Sequence, residues 1–158
     1  YSASLPDMPL IFDSPDDLIG KEGTVLGPTD WQKVSQDRIN MFAEATGDYQ
    51  WIHTDPVKAQ EGPFGSTVAH GYLTLALTNL FLPSLLQVTN ISMGINYGTN
   101  RVRFPNPARV GSDLRAVGTI SAVEEISGGI QVVITVTVEI NGEPKPACVV
   151  ESISRFMR

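Results

Sequence analysis

The chain has 158 residues, about one domain's worth, and with 42% apolar and 18% charged side chains it can bury a sizeable core without disulfides or metals, which sets intrinsic disorder aside. Seventeen acidic against eleven basic residues give a net charge of −6, the wrong sign for a general nucleic-acid binder. The single cysteine, Cys148, excludes an intramolecular disulfide and a cysteine-cluster metal site, and it fits a reducing compartment such as the cytoplasm.

Residues 1–61 hold eleven acids and four bases, so the acidity belongs to the first third. No targeting signal is readable there, and Tyr1 stands where an initiator Met would. Gly23 to Trp31 reads as a first strand. Ser35 is a helix N-cap, and the helix that follows runs to about Ala45 with Ile39, Phe42 and Ala43 facing inward, until Gly47 stops it. Thr54-Asp55-Pro56 has a capping side chain followed by Pro at the first helical position, which predicts a short helix toward Gln60. A glycine-rich loop, 62–71, comes next.

From residue 62 to residue 100 there is no Asp, Glu, Lys or Arg, which predicts that this tract is buried. Its most apolar part, Tyr72 to Leu82, is apolar around most of the helical circumference, as expected of a helix enclosed on several sides. A membrane span fails on length: His70 and Gly71 precede the run, Pro83 follows it, and Thr74, Thr78 and Asn79 interrupt it, where a span needs roughly 18 continuous apolar residues. A strand from about Ile91 to Phe104 ends at Pro105. Then Asp113 to Ile126, Ile130 to Ile140 and Ala147 to Met157 alternate in the manner of strands, joined at Ser127-Gly128-Gly129 and across Asn141-Gly142 as antiparallel hairpins. The expected architecture is one α+β domain over residues 1–158, its first 20 or so residues peripheral: a curved antiparallel sheet wrapped around the uncharged helix. The open edges of such a sheet predict a dimer by edge pairing.

Imidazole chemistry must use His53 or His70, the only two histidines. Asp48 lies five residues before His53 on a loop that could turn both side chains into one cleft, where a neutral ring beside a carboxylate can hold and activate a water. The competing account is a capping Asp and a surface His. His70-Gly71 directly precedes the buried helix, so the Gly71 amide is a free donor at a positive helix end, fit either for a developing oxyanion or simply for a tight entry turn. His70 itself reads as a partly buried ring that bonds backbone and shapes the loop. Asn79, among Leu77, Leu80 and Phe81, is expected in apolar surroundings, where its amide orients a catalytic loop or satisfies a core carbonyl. Arg101, Arg103, Arg109 and Arg115 form the one basic patch, either a phosphate site for an anionic carrier or charges that keep a strand edge soluble.

With these residues in place, the sequence resembles the MaoC-like, or type 2, (R)-specific enoyl-CoA hydratases. Phe42, Thr46-Gly47-Asp48, Ile52-His53 and Ala59 fill that family's pattern of an aromatic, a small residue-Gly-Asp step, an aliphatic residue and His, and Ala or Ser six residues later. The family's Asn-Pro is replaced by Gln50-Trp51, a departure that keeps the Asp-to-His spacing. The loop 62–72 and the stretch Tyr97 to Ser112 are also similar, so the resemblance covers residues 20–158. It implies the hot-dog fold and a homodimer. It implies that Asp48 and His53 hold a water that adds to the β-carbon of a trans-2-enoyl-CoA, and that the Gly71 amide binds the thioester oxygen, with His70, Asn79, Gly65 and Ser66 as accompanying substrate-binding candidates. Arg101 and Arg103 are the candidates for the phosphates of coenzyme A. No metal is required, and no cofactor beyond the coenzyme A that the substrate itself carries. The same fold leaves open a dehydratase working on acyl carrier protein, a thioesterase, or a noncatalytic acyl-binding subunit.

Overall fold

A computed structural model describes residues 8–158; the N-terminal portion of the expected periphery, residues 1–7, lies outside the described residues. The helical expectations near the site hold. α1 spans Gln36–Thr46, and the Ser35 hydroxyl accepts from the Arg38 amide, which satisfies a donor that has no intrahelical partner. Gly47 ends it at φ 79, a left-handed conformation that glycine adopts without steric cost. Two short helices follow, α2 (Trp51–Thr54) and α3 (Pro56–Gln60), the latter capped by the Asp55 carboxylate on the Lys58 amide.

The uncharged tract forms α4 (Gly71–Ala76) and α5 (Thr78–Leu85), joined through Leu77 in helical conformation. Pro83, which follows the apolar run, sits inside α5. Burial of the whole tract is overturned. Leu73, Thr74, Leu77, Thr78, Phe81 and Leu85 face the core, but Tyr72 is 71% exposed and Leu80 43%. The sheet covers one side of the helix and leaves the other as an exposed, uncharged stripe.

Four long strands supply most of that sheet: β5 (Met93–Arg103), β6 (Asp113–Ile126), β7 (Gly129–Ile140) and β8 (Cys148–Met157). They pair antiparallel in the order β6-β7-β8-β5. Alternation along β6 and β7 puts Leu114, Ala116, Ile120, Val132, Ile134, Val136 and Val138 into one apolar layer under the helix. Instead of one first strand from Gly23 to Trp31, two short pieces, β2 (Val25–Leu26) and β3 (Gln32–Lys33), pair separately with β6. Pro28 lies between them and has no N–H to give a ladder. β5 forms the far edge, with its outer side unpaired among the described residues.

The N-terminal segment is drawn in further than a peripheral tail. β1 (Leu10–Phe12) pairs parallel with β4 (Leu86–Val88), and the 3-10 turn Pro15–Leu18 buries Leu18 completely. Cys148 is also buried, and that burial pushes its thiol up to about 11, the wrong direction for a nucleophile. No helix among the described residues is long and apolar enough to cross a membrane. A curved sheet around a central helix is the hot-dog arrangement expected from the sequence.

Candidate active site

Asp48 follows directly on the Gly47 stop of α1, His53 stands in the single turn of α2, and His70-Gly71 opens α4. These elements meet in a cleft of about 510 Å³ lined by Asp48, His53, His70 and Gly71, with Phe42, Thr46, Tyr72 and Phe104 as its walls. A separate groove of about 430 Å³ beside α5 has a lining with no His, Asp, Glu, Lys or Arg, so acid–base chemistry belongs to the first cleft.

His53 is 7% exposed, and its Nδ1 lies 2.7 Å from the Val68 carbonyl. A carbonyl only accepts, so Nδ1 carries the proton and Nε2 is left as the ring's free acceptor. Burial holds this imidazole below its usual 6.5; the Val68 bond opposes the shift, the charge of His70 adds to it, and Asp48 opposes it. The backbone of His53 is anchored as well: Gln36 Nε2 donates to its carbonyl at 2.7 Å, while Gln36 Oε1 accepts from Thr67 at 2.6 Å. The Asp48 carboxylate accepts from the Gln50 amide at 3.3 Å.

His70 is 4% exposed, donates from Nε2 to the main-chain carbonyl of Asp48 at 3.0 Å, and stacks on His53 with ring centroids 3.9 Å apart. Asp48, His53 and His70 offer ligand atoms within 4.8 Å of one another. The two rings, however, lie in planes only 23° apart, so their in-plane lone pairs do not converge on one point as a tetrahedral ion requires. Gly71 starts α4, where an amide has no intrahelical acceptor. A Cβ there would come 3.1 Å from the Phe104 ring, so glycine keeps the cleft wall close.

Other candidates stand apart from this cleft. Gly65 and Ser66 are in the loop before it, the Ser66 hydroxyl bonded to the Thr67 carbonyl, and neither lines the cleft. Asn79, expected among apolar neighbours, is exposed on the open side of the helix, beside Asn96 in the second groove. The arginine patch divides. Arg115 pairs with Glu139 at 3.0 Å and lies over Trp31, and Arg109 donates to the Phe64 carbonyl. Arg103 bonds the adjacent Val102 carbonyl, and Arg101 shares the exposed edge strand with it. Sequence reasoning missed Gln36 and the Val68 carbonyl and gave Phe104 no role; of the walls, Phe42 and Thr46 stand in the motif and Tyr72 in the family-like loop.

The MaoC-like domain profile matches residues 19–142. Over 147 residues the chain is 46% identical to 3-hydroxyacyl-thioester dehydratase Z of Mycobacterium tuberculosis, covering 92% of this chain and 97% of that protein. Among solved structures, R-hydratase PhaJ1 from Pseudomonas aeruginosa superposes with a TM-score of 0.71 at 21% identity, covering 87% of this chain and 82% of that one. One chain of the HadBC (3R-hydroxyacyl-ACP dehydratase) complex of Mycobacterium tuberculosis does so with a TM-score of 0.66 at 16% identity, covering 86% and 98%. At these identities the structures speak for the fold, while the profile and the close relative speak for descent: the chain belongs to the MaoC-like domain family.

Proposed function

We propose that this MaoC-like hydratase–dehydratase interconverts a trans-2-enoyl-CoA and its (3R)-3-hydroxyacyl-CoA. The observation that supports the reading most is the meeting of Asp48, His53 and Gly71 in one cleft. Hydration needs a base to take a proton from water, an acid to give one to C2, and a donor for the charge that builds on the thioester oxygen. Neutral His53, with Nδ1 held by Val68 and Nε2 open, accepts the water proton as oxygen bonds to C3. Asp48 orients the water and shares its proton. A proton returned to C2 on the same face completes the addition. The Gly71 amide, at the positive end of α4, stabilises the enolate-like oxygen. Dehydration runs the same steps backward. None of these steps calls for a metal or a cofactor outside the substrate.

Arg101 and Arg103 on the edge strand are the proposed contacts for the carrier's phosphates. Coenzyme A is the proposed carrier. Acyl carrier protein presents the same pantetheine arm and is the carrier named for the HadBC neighbour, so it is the second reading. The outer side of β5, unpaired among the described residues, and the uncharged stripe of α4 and α5 support a homodimer, and the lone buried Cys148 supports a cytoplasmic setting.

The test is loss of enoyl-thioester absorbance with crotonyl-CoA and a longer trans-2-enoyl-CoA, read beside a free-thiol assay and chiral analysis. Loss without thiol, giving the 3R product, is the expected result; thiol release would indicate a thioesterase. Inertness toward both, with turnover of an enoyl carrier protein, would move the assignment to the second reading. Because burial lowers the pKa of His53, the acid limb of kcat/KM is expected below pH 6.5, the unperturbed value. Above that limb the ring is neutral and competent; below it, protonation removes the acceptor. A limb above 6.5 in a full pH–rate profile would contradict His53 as the base.

A further inference from the structure

Asp48 makes three hydrogen bonds that bear on its position. Its amide lies 3.4 Å from the Thr46 hydroxyl and its Oδ1 3.3 Å from the Gln50 amide, both long, while its carbonyl accepts from His70 Nε2 at 3.0 Å. The shortest of the three thus comes from a residue 22 positions away in sequence. The same ring covers one face of His53 at 3.9 Å and is backed by Phe42, centroids 4.9 Å apart. We propose that His70 is the positioning residue of this site, tying the Asp48 loop to the face of His53 so that carboxylate and imidazole stand in fixed relation. The inference rests on the assignment of Asp48 and His53 as the acid–base pair.

The demand on the residue type is double. A ring face without a donor would leave the Asp48 carbonyl unheld, and a donor without a flat face would leave His53 uncovered. Imidazole meets both demands in one side chain whose size fits between Phe42 and His53. There is an electrostatic consequence. The titratable groups facing His53 are Asp48, from the loop after α1, and His70, ahead of α4; α1 itself offers the uncharged Phe42 and Gln36, the loop before α4 offers the Val68 carbonyl, and Phe104 is an apolar wall. Positive charge on His70 opposes a second proton on His53. Replacing His70 by an uncharged residue therefore moves the titration of His53 upward.

His70→Phe keeps the stack and removes the donor; His70→Gln keeps a donor at the Nε2 position and removes the ring. In His70→Phe, kcat is expected to fall roughly tenfold to a hundredfold, more than KM changes, because a displaced carboxylate penalises the reacting geometry. In His70→Gln, the acid limb of kcat/KM and the 15N titration of the His53 ring are both expected to shift to higher pH. Wild-type kcat in His70→Phe overturns the proposal. So does a loss in either variant that only tracks the unfolded fraction in a thermal melt, with the acid limb and ring titration unmoved. Should His70→Phe fail to fold, His70→Gln alone decides. If the wild-type protein turns over no enoyl thioester, the proposed function fails; the His53 ring titration in wild type against His70→Gln still reads the coupling, a shift supporting it and coincident curves refuting it.

Discussion

Asp48→Asn is expected to lower kcat for enoyl-thioester hydration by about 10²–10⁴-fold, the range in which positioned acid–base groups contribute. The substitution is nearly isosteric. Asn keeps an oxygen to accept from the Gln50 amide and keeps the main-chain carbonyl that His70 holds, so the loop retains its anchors while the carboxylate's charge and proton capacity disappear. His53→Ala should cost at least as much, since it removes both the acceptor Nε2 and the ring that Val68 and His70 orient. If the two groups act on one water, the double variant loses little more than the worse single one. Circular dichroism checks that each variant is folded, and steady-state hydration gives the rates. Wild-type turnover in either single variant would remove the pair from the mechanism.

The strands were the most legible part of this protein. β7 declares itself by alternation along nearly its whole length, β6 by alternation up to Ile120 and β8 up to Ser152, and all three by glycine-bearing turns, because each lays one face on the helix and the other outward. α1 was equally readable, since Ser35 and Gly47 carry the two ends of the helix in their own side-chain and backbone chemistry. The central helix was half legible. Absence of charge predicts burial, yet an uncharged stripe on an open helix face and one inside a core have the same composition; Tyr72, Asn79 and Leu80 carry no charge and are exposed.

At the site, the spacing of Asp48 and His53 and the His70-Gly71 step were visible because the functional atoms belong to side chains, or to a glycine. The parts that orient them were not. His53 is held by a main-chain carbonyl at Val68, and Asp48 by its own carbonyl, groups that every residue possesses and no sequence pattern can single out. α2 escaped for a related reason. It has only four residues, too few to show helical periodicity, and the Asp55-Pro56 signal drew attention to the helix after it.

Phe81→Ala is expected to destabilise the fold by about 3–5 kcal/mol, the usual cost of truncating a fully buried phenylalanine. Phe81 is 2% exposed, among the largest of the fully buried side chains, and it belongs to the cluster that joins α5 to the layer of β6 and β7. Against a typical stability of about 5–15 kcal/mol, that is a large share. For a domain of this size it lowers the melting temperature by roughly 10 °C. The adjacent Leu80, 43% exposed, has less to lose within a single chain, so Leu80→Ala is the matched control. Phe81 takes no part in lining the cleft of Asp48 and His53, and the folded fraction of Phe81→Ala at 25 °C should turn over substrate at the wild-type rate. Thermal denaturation and active-site-normalised kinetics separate the two effects: a melting temperature equal to wild type would contradict Phe81 as the anchor of the helix. A lowered kcat in fully folded protein would mean that the depth of α5 in the sheet controls where Gly71 stands, coupling core packing to the proposed oxyanion donor.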